Sequence, residues 1–586
     1  VRQYKENLTK FQNWLNSEKL EAYIVPHADE FQSEYLSDGL DRVYKLTGFK
    51  GSAGFAIILK GKALFFTDGR YILQAQQQKD YGYVVLDVAQ SPYISCLLKA
   101  LKPGSKVGYD PALFTVSQIH RLKAGLKSGK IEVVPIVVNP VDKICGDTVI
   151  PKEKLFLHPK QYTGLCSLEK RLAVMEKTQA QCLLIADPCS IAWLLNLRSR
   201  DIPGTPIFLG YALLYKGGHC DVFIEKPEER VKEIQDEVVS TYFHSLTDIK
   251  VVLSGIKGKL VSLDPEQVSI KIASLVDRES RIEEKNPCLL LKACKNVVEQ
   301  KGMKSCHIRD AVAVVKFLFW LDQQFLKKAK VTEYEAARKI DKIRASQDLF
   351  VETSFSTISA TGANGAIVHY CVEKKTAKNL EPGDIYLVDS GGQYLDGTTD
   401  ITRTVLFGRK ATEKKKELYT RVLKGHIAIA AQVFPKHTSG AEMDILGRKY
   451  LWEIGCDYPH STGHGVGCFL SVHENPPSIS RKSFIPFQEG MIVSNEPGYY
   501  KEGHYGIRIE NLLTVEKAKK KEFFHFSTIT MVPFDKRLIK KSLLNKEEVQ
   551  WINRYHKKIL KVLEPTLINR EEAIVLRWLK RATSEL

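Results

Sequence analysis

The apolar and polar positions of this chain follow one pattern up to about residue 290 and another beyond it. Leu8, Phe11, Trp14 and Leu15 recur at helical spacing and predict a helix over Tyr4–Leu20. Ala22–Pro26 is a short apolar run and predicts a buried strand. Ala53–Leu59 and Lys62–Thr67 are two more, split by Lys60-Gly61, which predicts a hairpin. Asp68-Gly69-Arg70-Tyr71 ends the second arm, and a helix is predicted from Ile72 to Gln78. The plan then repeats. Leu168–Gln181 predicts a helix and Cys182–Ile185 a strand. Ile191–Leu197 leads into a loop over Arg198–Pro206. Phe208–Tyr215 and Cys220–Ile224 form a second strand pair around Lys216-Gly217-Gly218. The offset of roughly 150 to 160 residues indicates an internal duplication. Two related α/β domains, 1–145 and 146–290, are therefore expected, with no cluster of reactive side chains in either.

From Cys288 onward the spacing predicts one long apolar helical region over Leu289–Gln323 and a helix over Thr332–Ser346. The latter opens on Thr332-Glu333-Tyr334-Glu335, the pattern of a capping box. Phe355–Thr361 and Gly365–Tyr370 read as β segments. Asp384–Ser390 reads as a strand that turns near Asp396-Gly397 and returns as Thr399–Leu406. Helices are predicted over Thr412–Val433 and Ser439–Glu453, then strands and glycine loops over Tyr458–Val515. A helical tail follows Asn545, whose N-cap partner is Glu548. A third domain, α+β in character, is expected over 291–586.

Composition narrows the class. The 586 residues are 44% hydrophobic and 26% charged, ordinary values for a globular chain of several domains. The net charge of +18 is spread over scattered lysines, without the interleaved aromatics of a nucleic-acid platform, so no nucleic-acid partner is expected. No apolar run reaches the roughly 18 residues of a membrane span. Twelve cysteines without a C-x-x-C pair suit reduced thiols and a cytoplasmic setting. The chain begins at Val1 and not at Met, so removal of an upstream targeting segment is an expectation.

The chemistry concentrates between Asp384 and Glu510. Asp389 and Asp400 stand on the two arms of the expected hairpin, where two ionised carboxylates repel unless a cation lies between them. Taken alone, they have surface acids of a solvated hairpin as the lesser alternative. Glu496 follows the apolar Met491-Ile492-Val493 stretch. Glu510 closes Gly506-Ile507-Arg508-Ile509-Glu510, which alternates like a strand and offers Arg508 as a buried ion-pair partner. His464 lies between Gly463 and Gly465, where glycine permits unusual backbone angles and close approach. Four carboxylates and one imidazole suit hard to borderline divalent ions, Mn²⁺ or Zn²⁺, and two such ions bridged by carboxylates. A pair of metal ions acidifies a bridging water and polarises a carbonyl, which points to amide or ester hydrolysis. His369, His460 and His473 are further candidates because they lie close in sequence to these residues.

The order aspartate, aspartate, histidine, glutamate, glutamate resembles that of the pita-bread metallopeptidases. The likeness to the three-domain eukaryotic aminopeptidase P (Xaa-Pro aminopeptidase) type extends over nearly the whole chain. It rests on Tyr44–Phe49, Thr67–Tyr71, Ile191–Arg198, Leu291–Asn296, Gly365–Tyr370, Val388–Tyr394, Asp396–Asp400, His460–Gly467 and Glu496–Tyr500. The resemblance implies two creatinase-like α/β domains followed by a pita-bread catalytic domain. It implies that Asp389, Asp400, His464, Glu496 and Glu510 hold two divalent ions, Mn²⁺ above Zn²⁺ or Co²⁺. Glu496 would also carry protons, and His369, His460 and His473 would bind substrate and support the reaction. Arg508 would orient the metal-binding carboxylates. The implied substrates are peptides with proline at position two, and the implied assembly is a homodimer. Ser461 departs from the glycine usual between His460 and Thr462, which puts the placement of His460 in question. The alternatives are a prolidase acting on Xaa-Pro dipeptides, against which the duplicated domain argues, and a non-catalytic pita-bread binding protein, against which the full ligand set argues.

Overall fold

The computed structural model describes residues 2–77, 82–234, 238–569 and 572–586. The chain forms two compact units: Val1–His158 with Leu165–Cys288, and Pro159–Gly164 with Leu289–Leu586.

The first unit contains the duplication. Its first sheet has β1 (Ala22–Pro26), β2 (Phe55–Leu59), β3 (Lys62–Thr67), β4 (Val84–Asp87), β5 (Lys106–Tyr109) and β6 (Glu132–Pro135), in the spatial order 4-3-2-1-5-6. β2 is antiparallel to β1 and β3, while β4, β5 and β6 join by parallel pairings. The second sheet has the same order and the same directions, running 241–245, 220–224, 210–215, 182–185, 261–263 and 281–283. The continuous apolar runs have a direct cause. Tyr23, Val25, Ile58 and Phe65 pack into a core on one face, and Ala22, Ile24, Ile57 and Phe66 into a core on the other. Both faces are covered, so neither set of alternating positions can be polar. The helix predicted to reach Gln78 is described over Ile72–Gln77, and Gln78 lies outside the described residues.

The second unit is built around a core that joins the helix Val297–Leu326 to the strands Asp384–Ser390 and Ile401–Phe407, the helix Glu413–Ala430 and the tail helices Lys546–Asn569 and Ala573–Ala582. A three-stranded antiparallel sheet sets Asp384–Ser390 between Ile358–Thr361 and Ile401–Phe407. A six-stranded sheet runs 433–435, 523–528, 511–517, 492–495, 463–465 and 474–479. A two-stranded ribbon pairs Gly498–Lys501 with Tyr505–Arg508. Among the described residues no helix is long and apolar enough to cross a membrane, and all twelve cysteines are free thiols.

Three sequence expectations are corrected here. The helix expected over Leu289–Gln323 is two helices, Cys288–Ala293 and Val297–Leu326. Asn296 breaks them by capping the second, its side-chain oxygen accepting from the Val298 and Glu299 amides. Gly365–Tyr370 is not a strand: Gly362–Ala366 is a 3₁₀ turn, packed so that a Cβ on Gly506 would lie 1.7 Å from the Gly365 carbonyl oxygen. The strand read through Glu510 ends at Arg508, and pairing resumes at Asn511 in a different sheet. The capping box at Thr332 and Glu335 and the one at Asn545 and Glu548 both form.

Candidate metal centre

The hairpin forms in register. Asp389 faces Thr402 across the Asp384–Ser390 and Ile401–Phe407 pair, and Asp400 immediately precedes the returning strand. His464 is the middle residue of Gly463–Gly465. Glu496 follows the strand Ile492–Asn495, and its amide donates to the Thr462 carbonyl at 2.8 Å. Glu510 sits in the break between Arg508 and Asn511, where its amide donates to the Thr402 carbonyl at 3.2 Å. Residues spread over 122 positions of sequence, from Asp389 to Glu510, thereby share one site.

The flanking glycines of His464 serve close approach and not an unusual backbone angle. Neither has a positive φ. A Cβ on Gly463 would lie 1.9 Å from the Ser494 carbonyl oxygen, and one on Gly465 would lie 2.5 Å from that of Glu474. The His464 ring is oriented by its own turn. Nδ1 bonds the Gly465 carbonyl at 2.9 Å, which leaves Nε2 facing Asp400 at 3.4 Å and Glu496 at 3.5 Å. The ring of His473 stands edge-on to that of His464, 4.3 Å between centroids.

Arg508 is 1% exposed and corrects a second reading. Its partner is Asp389, at 2.7 Å, and not Glu510. It also donates to Tyr500 Oη at 2.8 Å and Thr402 Oγ1 at 3.1 Å. Thr402 Oγ1 in turn donates to Glu510 at 2.7 Å. Tyr500, quoted in a motif but given no role by the sequence, links Arg508 to His460 Nε2 at 2.8 Å. The alternation of Gly498-Tyr499-Tyr500 against Tyr505–Arg508 was the signal available for it. His460 Nδ1 bonds the Ser461 carbonyl at 2.7 Å. Ser461 is exposed and has no positive φ, so a side chain in place of glycine is accommodated there. His369 lies in the turn after Gly362–Ala366 and is half-buried.

Four carboxylates meet one arginine and one imidazole in a desolvated site. Burial pushes Asp389 up to about 7 against the pull of Arg508, with Asp400 adding to the rise. Burial also raises Glu510 well above the usual carboxylate range, reinforced by Asp400, Glu496 and Asp389. Glu496 is raised by burial, against His464 and Arg508. Burial disfavours a charged His464, but Asp400 and Glu496 outweigh it and carry the imidazole up to about 9. Burial is the largest cause for the three carboxylates, with neighbouring carboxylates adding to it, and bound cations would favour their charged forms.

The donor set fits divalent ions on two grounds. Oδ1 of Asp389 and Oδ1 of Asp400 are buried and lack a hydrogen-bond partner, an unfavourable state for a carboxylate oxygen. One ligand atom each from Asp400, His464 and Glu510 lie within 4.8 Å of one another. Oxygen donors with a single imidazole suit Mn²⁺, Zn²⁺ or Co²⁺ better than a soft ion.

Known proteins resemble the chain over its whole length. Residues 301–517 match Metallopeptidase family M24, and 522–586 match the C-terminal region of peptidase_M24. Residues 7–142 and 148–299 each match a Creatinase/Prolidase N-terminal domain. A Neosartorya fischeri protein named "Probable Xaa-Pro aminopeptidase P" is 38% identical, with 99% of this chain and 92% of the relative covered. A protein of the same name from Aspergillus niger is 37% identical, with coverages of 99% and 98%. A crystal structure of X-prolyl aminopeptidase from Caenorhabditis elegans, described as a cytosolic enzyme with a di-nuclear active site, matches with a TM-score of 0.95. The two chains are 32% identical, and all of each is covered.

Proposed function

The chain belongs to metallopeptidase family M24, and from that premise we propose that it is a metalloaminopeptidase that hydrolyses the N-terminal Xaa-Pro bond of peptides. Two creatinase-type α/β domains precede a pita-bread catalytic domain, and we place their limits at 1–145, 146–290 and 291–586. The observation that carries the reading is the meeting of ligand atoms of Asp400, His464 and Glu510 within 4.8 Å, with Glu496 3.5 Å from His464 Nε2 and Asp389 close enough to Asp400 to be raised by it. In this reading those five residues hold two divalent cations, Mn²⁺ in the working enzyme. When bound, the cations neutralise the carboxylates, acidify water and polarise the scissile carbonyl.

The chain's own residues do the rest. Glu496 accepts the proton of the attacking water and returns it to the proline nitrogen as the C–N bond breaks. Its carboxyl stands 3.5 Å from His464 Nε2, among the proposed ligands, within reach of a water held there. Arg508 keeps Asp389 oriented through its 2.7 Å bond. His460 and His473 bind substrate and support the charge that develops on the carbonyl oxygen, with His460 steadied by Tyr500. His369 takes part in substrate binding from the turn beside Gly506. Proline has no N–H and a fixed φ, so a dedicated apolar site for its ring gains what a general protease cleft cannot. The enzyme acts as a cytoplasmic homodimer in this reading.

The test is release of the first residue from an Arg-Pro-Pro peptide by Mn²⁺-loaded protein, its loss on chelation and its return with Mn²⁺. An intact peptide after prolonged incubation would refute the reading. Cleavage of Xaa-Pro dipeptides in preference to tripeptides would move the assignment to a prolidase. Sedimentation at working concentration checks the dimer.

A further inference from the structure

The segment Leu291–Asn296 stood out in the sequence without any chemistry attached. It carries two lysines that are almost fully buried. Lys292 is 4% exposed and Lys295 3%, and both close on the side chain of Glu474, itself 4% exposed. Lys292 Nζ donates to Oε2 at 2.7 Å, and Lys295 Nζ donates to Oε1. One carboxylate thus has an ammonium on each oxygen, in a cluster almost closed off from water. Stability alone is a weak account of this. A buried ion pair replaced by apolar side chains is often neutral or more stable, because removing charges from water costs more than their attraction returns.

Glu474 is the residue after His473, and across the sheet it pairs with Gly465, the residue after His464. The pairing is irregular there: Gly465 faces Glu474, whereas His464 faces Ser478. A strand as short and glycine-rich as Gly463–Gly465 has weak register control of its own, so a side-chain anchor at that point determines where His473 stands. The anchor is itself held. The Lys295 amide donates to the Gly490 carbonyl at 3.1 Å, and Gln300 Nε2 donates to the Lys295 carbonyl at 2.7 Å. Gly490 opens the run into Ile492–Asn495 and Glu496. The same six-residue segment therefore reaches the parts of chain that carry His464, His473 and Glu496.

We propose that Lys292 and Lys295 are positioning residues which, by clamping both oxygens of Glu474, fix His473 beside His464 for the reaction. The proposal rests on His473 contacting substrate, as assigned above. The experiment uses the full-length, Mn²⁺-loaded protein and an Arg-Pro-Pro peptide. It compares His473→Ala, Glu474→Gln, and an apolar triple variant (Lys292→Met, Lys295→Met, Glu474→Met). The triple variant is expected to keep the parental melting temperature and metal content while kcat falls by about 10-fold or more, the scale of a small misplacement of a reacting group. KM should change by less than about 3-fold. Added to His473→Ala, the triple should cost less than about 2-fold more, because two changes acting through one group do not multiply. Parental kcat in a folded, metal-loaded triple or Glu474→Gln variant overturns the proposal. So do effects of the triple and of His473→Ala that multiply. Loss of metal or of folding in both clamp variants shows a purely structural role and overturns it as well. Parental activity of His473→Ala removes the premise, an outcome separate from failure of the clamp.

Discussion

Acid should weaken the catalytic unit through a histidine that takes no part in the chemistry. His426 is 0% exposed and lies beneath two strands that lead to metal-site residues. Its Nδ1–H donates to the Asn495 carbonyl at 3.0 Å, one residue before Glu496. Its Nε2 accepts from Asn511 Nδ2 at 3.1 Å, one residue after Glu510. The neutral ring is thus fully used. A second proton on Nε2 would lose the Asn511 bond and face the Arg403 guanidinium. Burial, with Arg403 adding to it, holds this imidazole down to about 3. In the unfolded chain it titrates near 6.5. The folded value is depressed, so the stability it contributes is whole above about pH 6.5 and is lost as pH falls towards the folded value. Each pH unit in that window costs about 1.4 kcal/mol, and at about pH 4.5, two units down, the loss is about 3 kcal/mol. Denaturant unfolding of the parent and of His426→Gln, followed by the fluorescence of nearby Trp551, measures it. Near neutrality the variant should be the less stable, having lost the ring's contact with Phe534. The difference should shift in the variant's favour by about 3 kcal/mol between about pH 7 and pH 4.5. Other titrating groups cancel in that difference. A gap that stays constant across the range would refute the reasoning.

Other changes follow from the same geometry. Arg508→Lys gives up the simultaneous bonds to Asp389, Tyr500 and Thr402, and the Mn²⁺ dissociation constant measured by titration calorimetry should rise about 10- to 100-fold. Gly463→Ala drives a methyl group to 1.9 Å from the Ser494 carbonyl oxygen; it should cost about 1–3 kcal/mol or more in thermal stability and lower metal occupancy. In the first unit, Asp29 is 0% exposed and accepts from the Phe31 and Ser33 amides, but burial raises its carboxyl to about 6. The stability gained by the neutral form is whole below the unfolded value near 3.9 and is lost as pH rises through about 6. Asp29→Asn should therefore outlast the parent above that pH by about 3 kcal/mol in thermal scans, with no gain at about pH 4.

The sequence by itself was sufficient for the features that depend on neighbours in the chain. The doubled pattern of helix, strand and hairpin is readable because each strand is covered on both faces and so must be apolar throughout. Thr332 with Glu335, and Asn545 with Glu548, announce helix starts because a cap acts over three residues. Asp389 and Asp400 are joined by a hairpin whose turn chemistry lies between them. Five candidate side chains could be named from charge beside glycine or inside apolar runs, and the folded chain brings ligand atoms of three of them, Asp400, His464 and Glu510, within 4.8 Å of one another. What the tertiary structure alone decided depends on contacts between distant segments. Asn296 breaks the apolar stretch Leu289–Gln323 because its side chain prefers the exposed amides of the second helix to a place inside one continuous helix. Arg508 pairs with Asp389, 119 residues away, and not with Glu510 two residues on, because the strand ends between them and Glu510 turns to Thr402. Glu474 carries no signal of its own in the sequence beyond following His473, and only the folded chain sets two lysines from 182 and 179 residues earlier on its oxygens. Local spacing encodes backbone conformation. Which charge neutralises which is a property of the packed interior, where desolvation makes the nearest partner in space outweigh the nearest in sequence.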